Sequence, residues 1–587
     1  MLDSAGAIAP VCMLCFMEES LRSKILRSPF EVFIVVAILA AHLYIAMAPA
    51  NSMMNWYTTD DAFYYFKTAQ NIGLGHDISF DGISRTNGFH PLWMMICVPI
   101  FLLANINLLL PLRIVVVLAG LMNAATVILI WRLFKSNGAA FAGVLAALFW
   151  AFSTRVHSIT VTLGMESTVN ALTVTLLIYL ASQLDLKKEF GTLKKRDFTI
   201  LGIAAIFTFL SRIDNGFVIA AVLIWALIKH RDSLAPDGES QKQLWARRLR
   251  LAMTLGLPVG ITLLVYLGFN KWYFGTETPV SGQIKRWWGT LPNTVYGFPV
   301  DNYKVFLTHL ITPQVNIGPW ALATQTPHDI ASFFEKLFNV QQNLKSIHRI
   351  LVLVSSLVMA GTAGLLIKSD WKRFSKLVDR FYLIPFFIGC MAQIYSYKST
   401  TYIETLTWYW VGEMVFIVLA GGIIADSLFT WLQKKNVSSR VFQIGLAVAG
   451  LVLFVPYVLY IQNLAPYQVD PEFTEAYLGG AHALETFTEP GSIIGTTGGG
   501  IVSYFIKDRT IVNLDGLINS QDYFQRMRRG KTGEYFDRIG LDYVYGNVYM
   551  ITQSDPYARM FSDRVELIGT VEGASLFRYK PGVPPKK

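Results

Sequence analysis

Charge is what this chain has least of. Asp, Glu, Lys and Arg make up 15% of its 587 residues, against 53% hydrophobic ones, and the mean hydropathy is +0.42. An ordinary soluble enzyme of this size is excluded, because its surface would need about a quarter of all residues charged. Cysteine is scarce as well. The four, Cys12, Cys15, Cys97 and Cys390, fall in or near apolar segments, so no disulfide framework can be read. Cys12 and Cys15 form one C-x-x-C with no second pair and are read as non-functional. The chain lacks a GxxxxGK phosphate loop, an internal repeat, a convincing cleavable signal peptide and any low-complexity segment beyond a short Pro/Lys end. The net charge of +10 does not point to nucleic acid, because the basic residues sit in short loops between apolar runs, where topology explains them.

The apolar runs themselves are the dominant feature. They lie at about 30–50, 91–109, 112–134, 139–154, 168–184, 198–211, 215–229, 250–269, 349–367, 381–397, 409–432 and 441–462, and most are near the length that crosses a bilayer as a helix. The chain is therefore a polytopic α-helical membrane protein. Arg22, Lys24 and Arg27 precede the first run and place the N-terminus in the cytoplasm. Arg132 and Lys135 mark a cytoplasmic turn, as do Lys187–Arg196, the basic segment 229–250, Lys368–Arg380 and Lys434–Arg440. Residues 51–90 must then be outside and 132–138 inside, which leaves room for one crossing between them and not two. The run 91–109 opens with His-Pro-Leu-Trp and contains Pro99, so it is expected to be re-entrant or interfacial and to line a cavity. Eleven spans result. No cytoplasmic loop is long enough to fold as a nucleotide-binding domain.

This topology divides the chain into a cytoplasmic segment 1–29, a membrane domain 30–462 with outer loops 51–90 and 270–348, and an external block 463–587. The last alternates β-like runs (492–495, 510–513, 543–545) with helix-like ones (471–487, 521–538) and reads as a small α/β domain. Gly498-Gly499-Gly500 between a strand and a helix marks a tight turn, without the G-x-G-x-x-G spacing of a nucleotide site.

Polar residues collect where the topology puts span ends on the outer side. They are Asp60 and Asp61, His76, Arg85, Asn87 and His90, then Glu166 in Gly-Met-Glu-Ser, Arg212 and Asp214 in Ser-Arg-Ile-Asp-Asn, Lys285 and Arg286 beyond Pro-Val-Ser-Gly-Gln-Ile, and Trp408-Tyr409-Trp410. Ionisable groups at membrane depth default to function. Each also has a plainer reading. The two Asp residues can cap a helix, Glu166 can cap or pair, Arg212 and Asp214 can be a buried ion pair, the aromatic triplet can be an interfacial belt, and His76 and His90 can be hydrogen-bonded loop residues. Adjacent helical residues do not share a face. One Asp can therefore point into a cavity while the other braces the loop against an Arg or a backbone amide. Paired carboxylates also raise the cost of ionising both, which suits a base that takes a proton from a hydroxyl.

Asp-Asp after the first span, followed by Thr-Asn-Gly-Phe-His-Pro-Leu-Trp, resembles the GT-C superfamily of membrane glycosyltransferases, in its bacterial branch related to glycosyltransferase family 39, the aminoarabinose transferases of lipid A and the protein mannosyltransferases. The Gly-Met-Glu-Ser, Arg-Ile-Asp and Phe-Gly…Pro-Val-Ser-Gly…Lys stretches fit the same branch, and Asn513–Ser520 is similar to an element of its external domain. The double Asp is also similar to that of mycobacterial arabinofuranosyltransferases, but the arginine-rich continuation is missing here. The resemblance implies a GT-C-like fold in the plasma (inner) membrane. It implies an inverting transferase moving a hexosyl or pentosyl group from a polyprenyl-phosphate sugar to a hydroxyl of a glycan, lipid or protein acceptor outside, as part of building cell-envelope glycan. A divalent cation is a possible cofactor, since some relatives bind one. The base is then expected to be Asp60 first and Asp61 second. Lys285, with Arg286 or Arg212 as substitutes, would hold the lipid phosphate. Glu166 would hold hydroxyls, with His90 and Trp93 shaping the cavity and Arg85, Asp214, Trp408 and Tyr409 as further binding residues. A phosphate leaving group needs a cation in place of the second carboxylate a glycosidase uses. The competing expectation is a transporter or flippase for a lipid-linked sugar or a small molecule, which would show inverted halves with matching broken helices; none is visible in the sequence.

Overall fold

The computed structural model describes residues 28–233, 240–292, 318–337, 345–398, 406–467, 475–561 and 563–582. Cys12, Cys15 and the basic residues 22–27 lie outside them. The first helix, Pro29–Met47, starts where Ser28 accepts a hydrogen bond from the Glu31 amide and Pro29 occupies the first turn, a strong start signal because both features suit the unpaired amides there. Eight helices are long and apolar enough to cross a membrane, or ten if each of two pairs bent by 59° is one span. The chain is a multi-pass membrane protein.

The expected crossing at 198–211 is the seventeen-residue helix Lys195–Ser211. It lies between Ser167–Glu189 and Gly216–His230, and ion pairs pin the three together at both ends. Glu166 meets Arg212 at one end. At the other, Lys187 meets Asp197, and Asp185 meets both Lys229 and His230. The middle helix, about 25 Å long at 1.5 Å per residue, thus runs between the same two levels as its neighbours. Eleven crossings are expected from the sequence; eight helices, or ten with the bent pairs, are long and apolar enough to cross. The run 91–109 is the helix Pro91–Phe101 followed by a 3-10 turn to Asn105. At eleven residues it is too short to span, and it packs against the helix Asp61–Gly73.

The C-terminal block carries one five-stranded sheet of order β2-β1-β3-β5-β4. β1 (Ile493–Thr496), β2 (Thr510–Asn513) and β3 (Tyr543–Gly546) are parallel, and helices connect them. β4 (Val565–Val571) and β5 (Ala574–Tyr579) form an antiparallel hairpin on β3. The expected helix 521–538 is two, Gln521–Arg528 and Thr532–Ile539, broken at Gly530 with φ of 65°.

This sheet domain sits directly on the loop that follows the first span. Tyr504 packs edge-on against Phe63 at 5.7 Å, and Phe505 lies tilted against the same ring at 6.2 Å. Tyr64 and Phe80 share a core with Ile494, Ile511 and Ile518. The Tyr504 hydroxyl bonds the Leu108 carbonyl. Two glycines permit the approach: a Cβ at Gly88 would overlap the Leu517 carbonyl, and one at Gly500 would overlap the Asp60 carbonyl.

Candidate active site

Asp60 and Asp61 open the helix Asp61–Gly73, and their side chains part company there. The Asp60 carboxylate turns to the C-terminal domain. Its two oxygens accept hydrogen bonds from the Gly500 amide at 2.8 Å and the Ile501 amide at 2.7 Å. The triple-glycine turn therefore cradles a carboxylate of its own chain. Its next amide, Gly498, bonds Asp515 at 2.7 Å, which also accepts from Tyr557. Burial pushes the Asp60 carboxyl upward, and these amides pull against it. Asp60 ranks first as base in the sequence reading. In the structure Asp60 is tied by both oxygens and does not line the cavity.

Asp61 does line it. The wall is shared with Tyr64, Tyr65, His90, Glu166 and Lys285, and the enclosed volume is about 60 Å³. It adjoins a larger cavity of about 470 Å³ bounded by Asp214, Phe217, Pro279, Arg286 and Tyr397; His90, Arg212, Ser281, Lys285 and Tyr409 border both. Among the described residues, none hydrogen-bonds the Asp61 carboxylate. Burial pushes its pKa up to about 6, Lys285 pulls it down, and Asp60, Asp515 and Glu166 push it further up.

The cations divide in the same way. Arg212 is 2% exposed and nearly saturated. It bonds Glu166 at 2.5 Å, Asp214 through Nε at 3.1 Å and Nη2 at 2.9 Å, and the Tyr397 hydroxyl at 3.2 Å. Tyr397 and Gln393 complete Asp214. Glu166 in turn accepts from Tyr65 at 2.9 Å. This network braces the helix ends that it joins. Lys285 is held more lightly, by the Tyr409 hydroxyl, with its ammonium 4.9 Å from that ring's centroid. Tyr409 stacks on Tyr397 at 5.2 Å, so the aromatic pair fixes the lysine.

His90 occupies the N-cap of the helix Pro91–Phe101, and burial pushes its imidazole below the usual range while Glu166 pulls it back up. Its Nε2 lies 3.7 Å from Glu166. The Trp93 indole donates to the Gly164 carbonyl at 3.2 Å. Trp408 is 9% exposed and borders the cavity, so it does not belong to a lipid-facing belt. Arg85 is the expected site residue that the structure takes elsewhere: it pairs with Asp77 at 2.7 Å and covers Tyr273 on the exposed loop. Among the described residues, no group of three His, Cys, Asp or Glu side chains is arranged to hold a metal ion.

Three contributors lie outside the set of span-end polar residues read from the sequence. Tyr397 and Gln393 lie in an apolar run whose end, Tyr-Ser-Tyr-Lys, is its polar signal. Leu517 reaches the cavity from the sheet domain, beside Gly516 at φ of 81°. The Asp-Gly-Leu sequence there predicts a turn, but not the partner it meets.

No protein-family model matches the chain, and comparison with curated proteins finds no match. Among solved structures the chain is similar to the crystal structure of the Archaeoglobus fulgidus oligosaccharyltransferase tethered to an acceptor peptide containing an NVT sequon. The TM-score is 0.47 at 12% identity, over 96% of this chain and 75% of that one. It is also similar to the archaeal oligosaccharyltransferase AglB from Archaeoglobus fulgidus in complex with an inhibitory peptide and a dolichol-phosphate, with a TM-score of 0.44 at 13% identity, over 91% of this chain and 71% of that one.

Proposed function

We propose that the chain is a GT-C-type membrane glycosyltransferase that moves a sugar from a polyprenyl-phosphate donor to an acceptor hydroxyl, with Asp61 as the base. One observation carries the reading: a carboxylate with a raised pKa, lacking a hydrogen-bond partner among the described residues, faces a cavity whose wall also presents Lys285. Asp61 takes the acceptor hydroxyl proton. The oxygen attacks the anomeric carbon from the face opposite the phosphate, and the carbon–oxygen bond to phosphate breaks with inversion. Polyprenyl phosphate leaves with the bonding pair, and Lys285 and Arg286 hold its charge. A phosphate leaving group needs no proton, so one base and fixed cations suffice.

The other residues act through these. Glu166, Arg212, Asp214 and Tyr397 keep the helix ends and Tyr409 in place, and Tyr409 aims Lys285. His90 and Trp408 shape the sugar cavity. The acceptor is a glycan, lipid or protein, and the enzyme sits in the plasma membrane with its N-terminus in the cytoplasm and the site facing outward. The test is transfer from radiolabelled polyprenyl-phosphate sugars by protein reconstituted in vesicles. Transfer by wild type that Asp61→Asn abolishes supports the reading. Undiminished transfer by that variant overturns the assignment of the base.

A further inference from the structure

The helix Gln241–Phe274 begins with Ser240 and Gln243 capping each other and leans on Lys195–Ser211. The two touch where Gly202 lies against Thr254 and Leu255, with a glycine Cβ position only 3.3 Å from the Thr254 carbonyl. Toward the end that carries the basic loops, a groove of about 480 Å³ opens between them, with Lys195, Arg247 and Arg250 at its mouth and Phe198 and Met253 along it. A second hollow of about 440 Å³ continues past Met253 to Leu257 and Ile261. Every fourth residue from Trp245 to Ile261 on this helix is a large apolar side chain at least 48% exposed, which is what a face toward acyl chains requires.

Two of the three cations at the mouth have no matching acid among the described residues. Neither Lys195 nor Arg250 forms an ion pair among the described residues, whereas Arg248, which does not line the groove, is paired with Asp232. An apolar trough in a membrane face, ending at cations at the interface level, matches one amphiphile: a phosphate head with acyl chains. It lies at the opposite end of Lys195–Ser211 from Arg212, about 25 Å from the candidate active site at 1.5 Å per residue. We infer that this groove binds an anionic phospholipid of the leaflet on the basic face, at a site separate from the reaction.

Native mass spectrometry of the full chain in detergent tests this, with phosphatidylglycerol and phosphatidylcholine as probes. Wild type is expected to retain one phosphatidylglycerol in preference to phosphatidylcholine. The double variant Lys195→Gln, Arg250→Gln is expected to bind phosphatidylglycerol about 10-fold more weakly. Lys434→Gln on the same face, whose partner is Asp370, should bind as wild type does. Equal retention of both lipids by wild type, or unchanged affinity in the double variant, overturns the proposal. Should the double variant fail to fold, Met253→Trp fills the groove and leaves the cations. It should expel the lipid, and retention of phosphatidylglycerol at wild-type affinity by that variant overturns the proposal equally.

Discussion

Asp60 and Asp61 are one position apart and meet different partners. A step along a helix turns about 100°, so the first reaches the sheet domain and the second the cavity. Replacing Asp61 by Asn should lower transfer by about 10²- to 10⁴-fold, the usual worth of a general base, at unchanged expression. As the proposed base, Asp61 would have to be ionised, and its pKa is pushed up to about 6, so the rate in wild type should fall as pH drops through 6. The same shift has a consequence for stability. A carboxyl raised from its ordinary value of 3.8 to about 6 favours the folded state when neutral, and that advantage is lost as pH rises through 6. Asp61→Asn should therefore melt higher than wild type at pH 7.5 by an amount on the order of 2 kcal/mol, discounted for the group's partial exposure. The gap should narrow toward pH 5, as thermal melting in detergent can show. Lys285→Ala should lose transfer without this gain in melting temperature.

The elements differ in how much of them the sequence discloses. Long apolar runs fix the membrane helices, because a chain of backbone amides in lipid has few other ways to bond itself. The expectation that 91–109 does not cross rests on loop charge, and the strands β1 to β3 follow from short apolar runs between turns. The β4–β5 hairpin was not read. Val565–Val571 is mostly exposed, and its register slips between Leu567 and Gly569, which blurs the two-residue alternation that marks a strand. The site was legible as a set of span-end polar residues, but not in its pairing. No local pattern says that Thr496–Ile501 supplies the amides for Asp60, since that contact joins residues 440 positions apart. Gly500→Ala tests the contact. Its Cβ must displace Asp60 and Phe63, so protease cleavage of the sheet domain should speed up, and transfer should fall by about 10-fold or more through misplacement of Asp61. Wild-type cleavage and transfer rates in Gly500→Ala would show that the domain does not hold the loop.

At the scale of the whole molecule, two parts make one site. The membrane domain, with its outer loops, supplies the carboxylate, the lysine and the braced ion network, and the sheet domain supplies Leu517 and the amides that fix Asp60. The basic loops and the candidate site lie at opposite ends of the helices around Lys195–Ser211, an arrangement that suits a lipid-linked donor presented on the far side of the membrane. The central claim is sugar transfer with Asp61 as base. It is tested most directly by reconstituting wild type and Asp61→Asn in vesicles with a panel of radiolabelled polyprenyl-phosphate sugars, and following both label transfer and label leaflet. The account predicts transfer by wild type from at least one donor, reduced by 10²-fold or more in the variant. Label that changes leaflet with no transfer from any donor would contradict it and make the protein a transporter.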